Sequence, residues 1–178
     1  MFKIGDLVIY SWHGICKIDD ICEKTISGIT STYYVLHPLE SNHKLTISTP
    51  IDNDKVIMLE LVQKEEAREI LESFKYPGIE WNENANMRPR IFTDIVSAGD
   101  RKKIAKLVNT LMRKKIEAEL REKKLYERDD KLLTSTQKTL FNELAISLNT
   151  TFDEIYERVI GFIKENSISP SEQSLNLR

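Results

Sequence analysis

Over the first 62 residues, apolar and β-branched side chains come in short runs closed by polar turn signals. The runs are Leu7–Tyr10, Ile15–Ile18, Thr32–Leu36, Lys44–Thr49 and Val56–Leu59, and their Val, Ile, Thr and Tyr content favours strands. Between them stand His13-Gly14, Ser27-Gly28, Glu40-Ser41-Asn42 and Asp52-Asn53-Asp54, combinations that turn a chain. Five short strands in so small a space predict an antiparallel β-barrel, because closure protects the strand edges.

Beyond Gln63 the pattern becomes helical. Glu65 to Phe74 forms a short amphipathic stretch stopped by Tyr76-Pro77-Gly78, and Pro77-Gly78 marks the expected domain boundary. Pro89 suits the first position of a helix running to Ala98, with Gly99 just past its end. The longest helix is expected from Asp100 to about Arg128, on the stripe Ile104, Leu107, Val108, Leu111, Met112. Thr134-x-x-Gln137 and Thr151-x-x-Glu154 read as capping boxes opening two further helices. Their stripes are Leu140, Phe141, Leu144, Leu148 and Ile155, Val159, Ile160, Ile163. The tail at 167–178 has no period and is expected to be disordered.

Composition narrows the class. The 178 residues are 40% hydrophobic and 30% charged, which fits a packed α+β protein of one or two small domains. No run approaches the ~20 apolar residues of a membrane span, and the start lacks a secretory leader, so the expectation is a soluble, intracellular chain. Two cysteines make no disulfide framework.

The net charge of -2 conceals an uneven distribution. Residues 86–128 hold 13 Lys/Arg against 6 Asp/Glu, while every segment around them is acidic. A cationic segment in an acidic protein points to an anionic partner or to pairing with acids elsewhere in the fold.

Candidate enzymatic chemistry is sparse. There is no Gly-Lys-Ser/Thr phosphate loop and no Gly-x-Ser-x-Gly elbow, and no two carboxylates stand out as a catalytic pair. The expectation is a protein that is not an enzyme and needs no cofactor. His13, Cys16, Cys22, His37 and His43 all lie early, but they form no Cys-x-x-Cys or His-x-x-x-His clasp. Zinc is therefore a distant reading, and Cys16 and Cys22 suit small buried apolar groups.

On a helical wheel, Lys102, Lys103, Lys106, Arg113 and Lys114 fall largely opposite the apolar stripe, with Arg88 and Arg90 just upstream. A basic face opposite the core is how a helix meets a phosphate backbone, and an ordinary solvated face has the same pattern. The phosphate reading covers the N-terminal half of the helix and stops by Arg121. Trp81 stands in a polar stretch after Pro77-Gly78. It can anchor the joint between the domains, or remain exposed and wedge between unstacked bases from the minor groove. Trp12 and Tyr10 belong to the barrel or its rim.

These pieces together resemble one family. Phe2-Lys3-Ile4-Gly5-Asp6-Leu7-Val8-Ile9-Tyr10-x-x-His13-Gly14 is similar to the start of the CarD/CdnL-type bacterial transcription regulators. Lys24-Thr25-Ile26-x-Gly28, Tyr33-Tyr34-Val35-Leu36, Leu45-Thr46-Ile47-x-x-Pro50, Trp81…Arg88-x-Arg90…Ser97-Ala98-Gly99-Asp100 and Thr139-Leu140-Phe141-Asn142-Glu143-Leu144-Ala145 continue the match, to about Ile163.

The resemblance implies a Tudor-like RNA polymerase-interacting domain at 1–62, a connecting helix and linker at 63–80 and a helical DNA-binding domain at 81–166. The first would dock on the polymerase β subunit, partly by strand pairing, through Lys24, Thr25, Ile26, Ile47, Ser48, Thr49 and Pro50. The helical domain would meet promoter DNA at the upstream edge of the bubble and hold the open complex. Trp81 would be the minor-groove wedge, with Arg88 and Arg90 on the backbone and Lys102, Lys103, Lys106, Arg113 and Lys114 as weaker contacts. Ser48 and Lys24 stand where many members carry arginine, which weakens bidentate pairing with a carboxylate. The implied setting is a cytoplasmic monomer associated with the nucleoid through polymerase. The rival reading is a protein–protein adaptor whose helices never touch DNA.

Overall fold

The structure is a computed structural model that describes residues 1–10, 13–40, 45–53 and 56–166. Trp12, His43, Lys44 and the tail at 167–178 lie outside the described residues. The chain separates into two compact units, Met1–Leu61 and the part from Val62 onward.

The first unit is an antiparallel sheet built from the five strands expected of the barrel. Its strands are β1 (Leu7–Tyr10), β2 (Ile15–Ile26), β3 (Ile29–Pro38), β4 (Ile47–Pro50) and β5 (Met58–Glu60). They lie in the order β4-β3-β2-β1-β5, so β4 and β5 stand at the two ends. Period-two alternation buries Val8 and Tyr10 on β1 and Tyr34 and Leu36 on β3, and these meet Cys16 and Ile18 in one core. The β2–β3 pairing slips between Ile18 and Asp20, a bulge that bends a long ribbon. Ser27-Gly28 closes that ribbon with both residues at positive φ, 52° and 79°. Two such residues make the tight turn whose twist matches a hairpin, which is why a Ser-Gly pair marks the spot.

The second unit is helical: α1 (Lys64–Glu72), α2 (Arg88–Ser97), α3 (Arg101–Leu120), α4 (Glu127–Leu148) and α5 (Phe152–Glu165). Its core includes Ile70, Leu71, Phe74, Phe92, Leu107, Leu111, Phe141, Leu144, Ile155 and Val159, and the apolar stripes expected on α3, α4 and α5 all contribute. Two caps come directly from local chemistry. The Asp100 carboxylate accepts from Lys103 N (3.1 Å), and the Thr151 hydroxyl from Glu154 N (3.2 Å).

Three local expectations are corrected. The helix predicted to reach Arg128 stops at Leu120, and Glu122 takes a left-handed φ of 54°. Lys123 N then bonds to Ala118 O at 2.8 Å, closing the helix end. The following helix starts at Glu127 rather than Thr134, so the Thr134 hydroxyl sits inside α4 and donates to Asp130 O (2.8 Å). With 22 residues, α4 is longer than α3. Finally, residues 63–80 are more than a connector. Ala67, Ile70, Leu71 and Phe74 lie in the helical core, and Pro77-Gly78 falls inside the second unit. Burying that apolar face of α1 against α3 and α4 outweighs the local break.

The start of this unit is pinned to α4. Val62 N donates to Glu143 Oε1 (3.0 Å) and Ser147 Oγ donates to Val62 O (2.7 Å). Glu143 is 1% exposed and also pairs with Arg101 at 3.3 Å. Burial raises its carboxyl pKa, against the lowering effects of Arg101 and the Val62 N–H.

Candidate nucleic-acid interface

Trp81 sits on an extended segment that is stitched onto α3. Asn109 Nδ2 donates to Tyr76 O (2.7 Å), Thr110 Oγ1 donates to Ile79 O (2.8 Å), and Ile79 N donates to Lys106 O (3.3 Å). Gly78 lies so close to α3 that a Cβ there would overlap the Thr110 hydroxyl and the Lys106 carbonyl. Only glycine permits that approach. Beyond the indole, Asn84 N donates to Asn82 Oδ1 (2.8 Å) and Asn86 N donates to Asn84 Oδ1 (3.0 Å), local turns typical of Asn-rich sequence.

The indole is half-buried. It packs 6.3 Å from the Phe92 ring, with the Arg88 guanidinium carbon 4.3 Å and Lys114 Nζ 5.4 Å from its own centre. It also lines a surface cleft with Lys114, Arg121, Lys123, Lys124, Leu125 and Tyr126. Trp81 therefore rests on the core of the helical unit and lines a cationic cleft. Glu117 is the acid lining the cleft. It pairs with Lys114 (3.0 Å) and Arg121 (2.9 Å), and Lys114, then Arg121, holds its carboxyl below the usual range.

The predicted DNA contacts separate into distinct environments. Arg88, expected on the phosphate backbone, is only 6% exposed and turns inward. Its Nε and Nη2 reach Asp129 Oδ2 at 2.9 and 2.8 Å, and Nη1 donates to the carbonyls of Asn82 (3.0 Å) and Glu83 (3.3 Å). A buried guanidinium needs such partners, so its place is beneath the indole segment rather than on the surface. Arg113 is also directed inward: Nε donates to Asn109 Oδ1 (2.8 Å) and Nη2 to Phe74 O (3.3 Å), and desolvation lowers its pKa.

Lys102 pairs with Glu69 at 2.8 Å, which raises its pKa, and Lys103 lies 3.8 Å from Asp100. Arg90 and Lys106 are exposed and make no ion pair among the described residues. Of the whole predicted set, the cleft brings together Trp81, Arg88 and Lys114. It adds Arg121, Lys123, Lys124, Leu125 and Tyr126, which the sequence reading passed over. Their signal was the density of bases at 121–124, hidden by treating that stretch as continuous helix.

In the sheet unit, the residues expected to face polymerase cluster around β2 and β4. Lys24 Nζ donates to Ser48 Oγ (2.7 Å), and the Thr25 and Thr30 hydroxyls share a 2.8 Å bond. Ile26 is exposed at the hairpin end, Ile47 packs partly on the core, and Pro50 stands opposite Tyr33. Alternation along β4 turns Ser48 outward and buries Thr49, whose hydroxyl accepts from Asn53 Nδ2 (3.1 Å). Among the described residues no three His, Cys, Asp or Glu side chains gather as a metal site. Cys16 is buried, which pushes its thiol pKa up to about 11, and His37 pairs with Asp19.

The chain thus comprises a small antiparallel sheet unit and a helical unit that carries an aromatic, cationic cleft. Family models agree on both halves: CarD-like/TRCF RID domain matches residues 2–62, and CarD, C-terminal domain matches residues 69–160. The chain belongs to the CarD-like family of transcription factors, which is associated with RNA polymerase, and its first unit is Tudor-like. It is 27% identical over 158 residues to YdeB of Bacillus subtilis (strain 168), a protein provisionally named as a transcription factor. That match covers 87% of this chain and 97% of YdeB. Among the described residues no helix is long and apolar enough to cross a membrane.

Proposed function

We propose that this protein binds the β subunit of RNA polymerase and promoter DNA together, and stabilises the open complex from the upstream edge of the bubble. The observation that carries the reading is Trp81, half-buried over Arg88 and Lys114 on the wall of a cationic cleft. Such an indole has a firm base and an accessible edge. Inserted beside unstacked bases, it meets DNA whose unstacking, a few kcal/mol per step, has already occurred. A ligand that prefers the open state shifts the equilibrium toward it, about tenfold for each 1.4 kcal/mol, without catalysing any reaction.

The other parts follow from their surroundings. Lys123 and Lys124, exposed and without ion pairs among the described residues, are the proposed phosphate contacts, together with Arg90 and Lys106. Lys102, Lys103 and Lys114 first have to leave a carboxylate, so their contribution is smaller. Arg88 acts by positioning Trp81. In the sheet unit, the end strand β4 offers backbone groups for strand addition, with Lys24 and Ser48 beside it.

The test is the lifetime of promoter open complexes challenged with competitor DNA. Trp81→Ala is expected to shorten it about tenfold while leaving polymerase binding intact. An unchanged lifetime in a folded variant sinks the reading. The adaptor reading rests on the internal pairing of Lys102, Arg88 and Lys114, which leaves less free charge than the sequence suggests. A forked promoter fragment titrated with and without the polymerase β lobe separates the two.

A further inference from the structure

The residue that precedes α4 breaks a local rule. An N-cap is ordinarily Ser, Thr, Asp or Asn, whose side-chain oxygen accepts from the first turn. Helices α3 and α5 obey this through Asp100 and Thr151, while the N-caps of α1 and α2, Gln63 and Met87, make no side-chain cap bond and do not line the cleft. At the same position α4 has Tyr126, with no side-chain cap bond. Tyr126 is 49% exposed, and its ring stacks on no other aromatic ring among the described residues. A departure from local stability is expected where a side chain serves a function. Tyr126 lines the same cleft as Trp81, next to Lys123 and Lys124.

We propose that Tyr126 is a second nucleic-acid contact, and that the cleft it shares with Trp81 takes one unpaired nucleotide of a DNA strand. The base stacks on the aromatic wall, and its phosphate lies against Lys123 and Lys124. An unpaired nucleotide is the occupant that uses both the rings and the lysines of the cleft. Paired DNA offers phosphates to the lysines but keeps its base faces stacked, so the rings would gain little from it. A free phosphate would use the lysines alone. Stacking a base on an aromatic side chain is tolerant of sequence, and the nearby cations add the salt-dependent attraction. The proposal rests on the DNA reading above and extends it from a wedge beside unstacked bases to a seat for one of them.

Two substitutions separate this role from a structural one. Tyr126→Ser removes the ring but restores a good cap, so the helical unit should melt about 3 °C higher. Tyr126→Phe keeps the ring. The full chain is titrated by fluorescence anisotropy with a labelled duplex carrying a short unpaired patch, and with the same duplex fully paired. Wild type should prefer the patched duplex. Tyr126→Ser should lose about tenfold on it and little on the paired duplex, and Tyr126→Phe should restore the affinity.

Millimolar deoxyadenosine monophosphate should fail to displace the patched duplex. Displacement would mean a free-nucleotide site and overturn the strand assignment. Should Tyr126→Ser bind the patched duplex like wild type while Trp81→Ala loses it, Tyr126 is not a contact and the DNA reading stands. If Trp81→Ala and Lys123→Glu/Lys124→Glu also bind unchanged, the DNA reading itself falls.

Discussion

The two units treat their charged and polar side chains differently. In the sheet unit, position along a strand decides direction: Ser48 points out and Thr49, one residue on, points in. In the helical unit, position on a wheel decides much less. Arg88 and Arg113 lie in the most basic part of the chain, yet both direct their donors inward. Lys123 and Lys124 come from a stretch expected to be continuous helix, yet they are exposed and make no ion pair among the described residues. Long side chains bend toward whatever partner the fold supplies, so charge counted in a sequence is not charge presented to a ligand.

The sharpest test of this contrast is Asp129→Ala. If Arg88 is an internal support, the variant leaves a buried guanidinium unpaired and the helical unit loses about 3–5 kcal/mol, read by urea unfolding. A free surface cation would lose under about 1 kcal/mol. Next in size is the tenfold shortening of open-complex lifetime expected of Trp81→Ala.

A third experiment compares two pairs of lysines. Lys123→Glu/Lys124→Glu should make the dependence of DNA affinity on log salt shallower by about 2, as two phosphate contacts are lost. Lys102→Glu/Lys103→Glu should change it less, because both lysines already lie beside carboxylates. Equal changes would erase the distinction drawn between the two ends of α3.

The smallest effect is on acid stability. Lysine partners Lys102, Lys114 and Lys131 hold Glu69, Glu117 and Glu127 below the usual 4.5. Their stabilising effect is complete above pH 4.5 and is lost as pH falls through the lowered values. Glu143 runs the other way, because burial raises it: its contribution is complete below 4.5 and lost as pH rises through the raised value. Thermal midpoints should fall modestly below pH 4.5, and Glu69→Gln/Glu117→Gln/Glu127→Gln should flatten that fall.

Much of the fold was legible because it depends on neighbours in sequence. The Ser27-Gly28 turn, the Thr151 cap and the stripes of α3 and α5 are all local. The interface was half legible. Trp81 stood out as a large aromatic in polar surroundings, but its Arg88 support and its Tyr126 neighbour did not. The stretch Arg121-Glu122-Lys123-Lys124-Leu125-Tyr126 contains no Gly or Pro, and most of its residues favour helix. Nothing local announces a break there.

The order of strands and helices along the chain, the Thr151 cap and the apolar faces were set by the sequence alone, because hydrogen bonding and side-chain period act over a few residues. Where α3 ends and α4 begins was a tertiary decision. Asp129 is tied to Arg88, 41 residues away, and Asp130 to Lys115, 15 away, at 2.7 Å. Those pairs hold the first turn of α4 in place, and with it the cleft in which Trp81, Lys123 and Tyr126 meet. Burial of Arg88 makes its pairing with Asp129 obligatory, and no local preference for helix through 121–126 is large enough to oppose it.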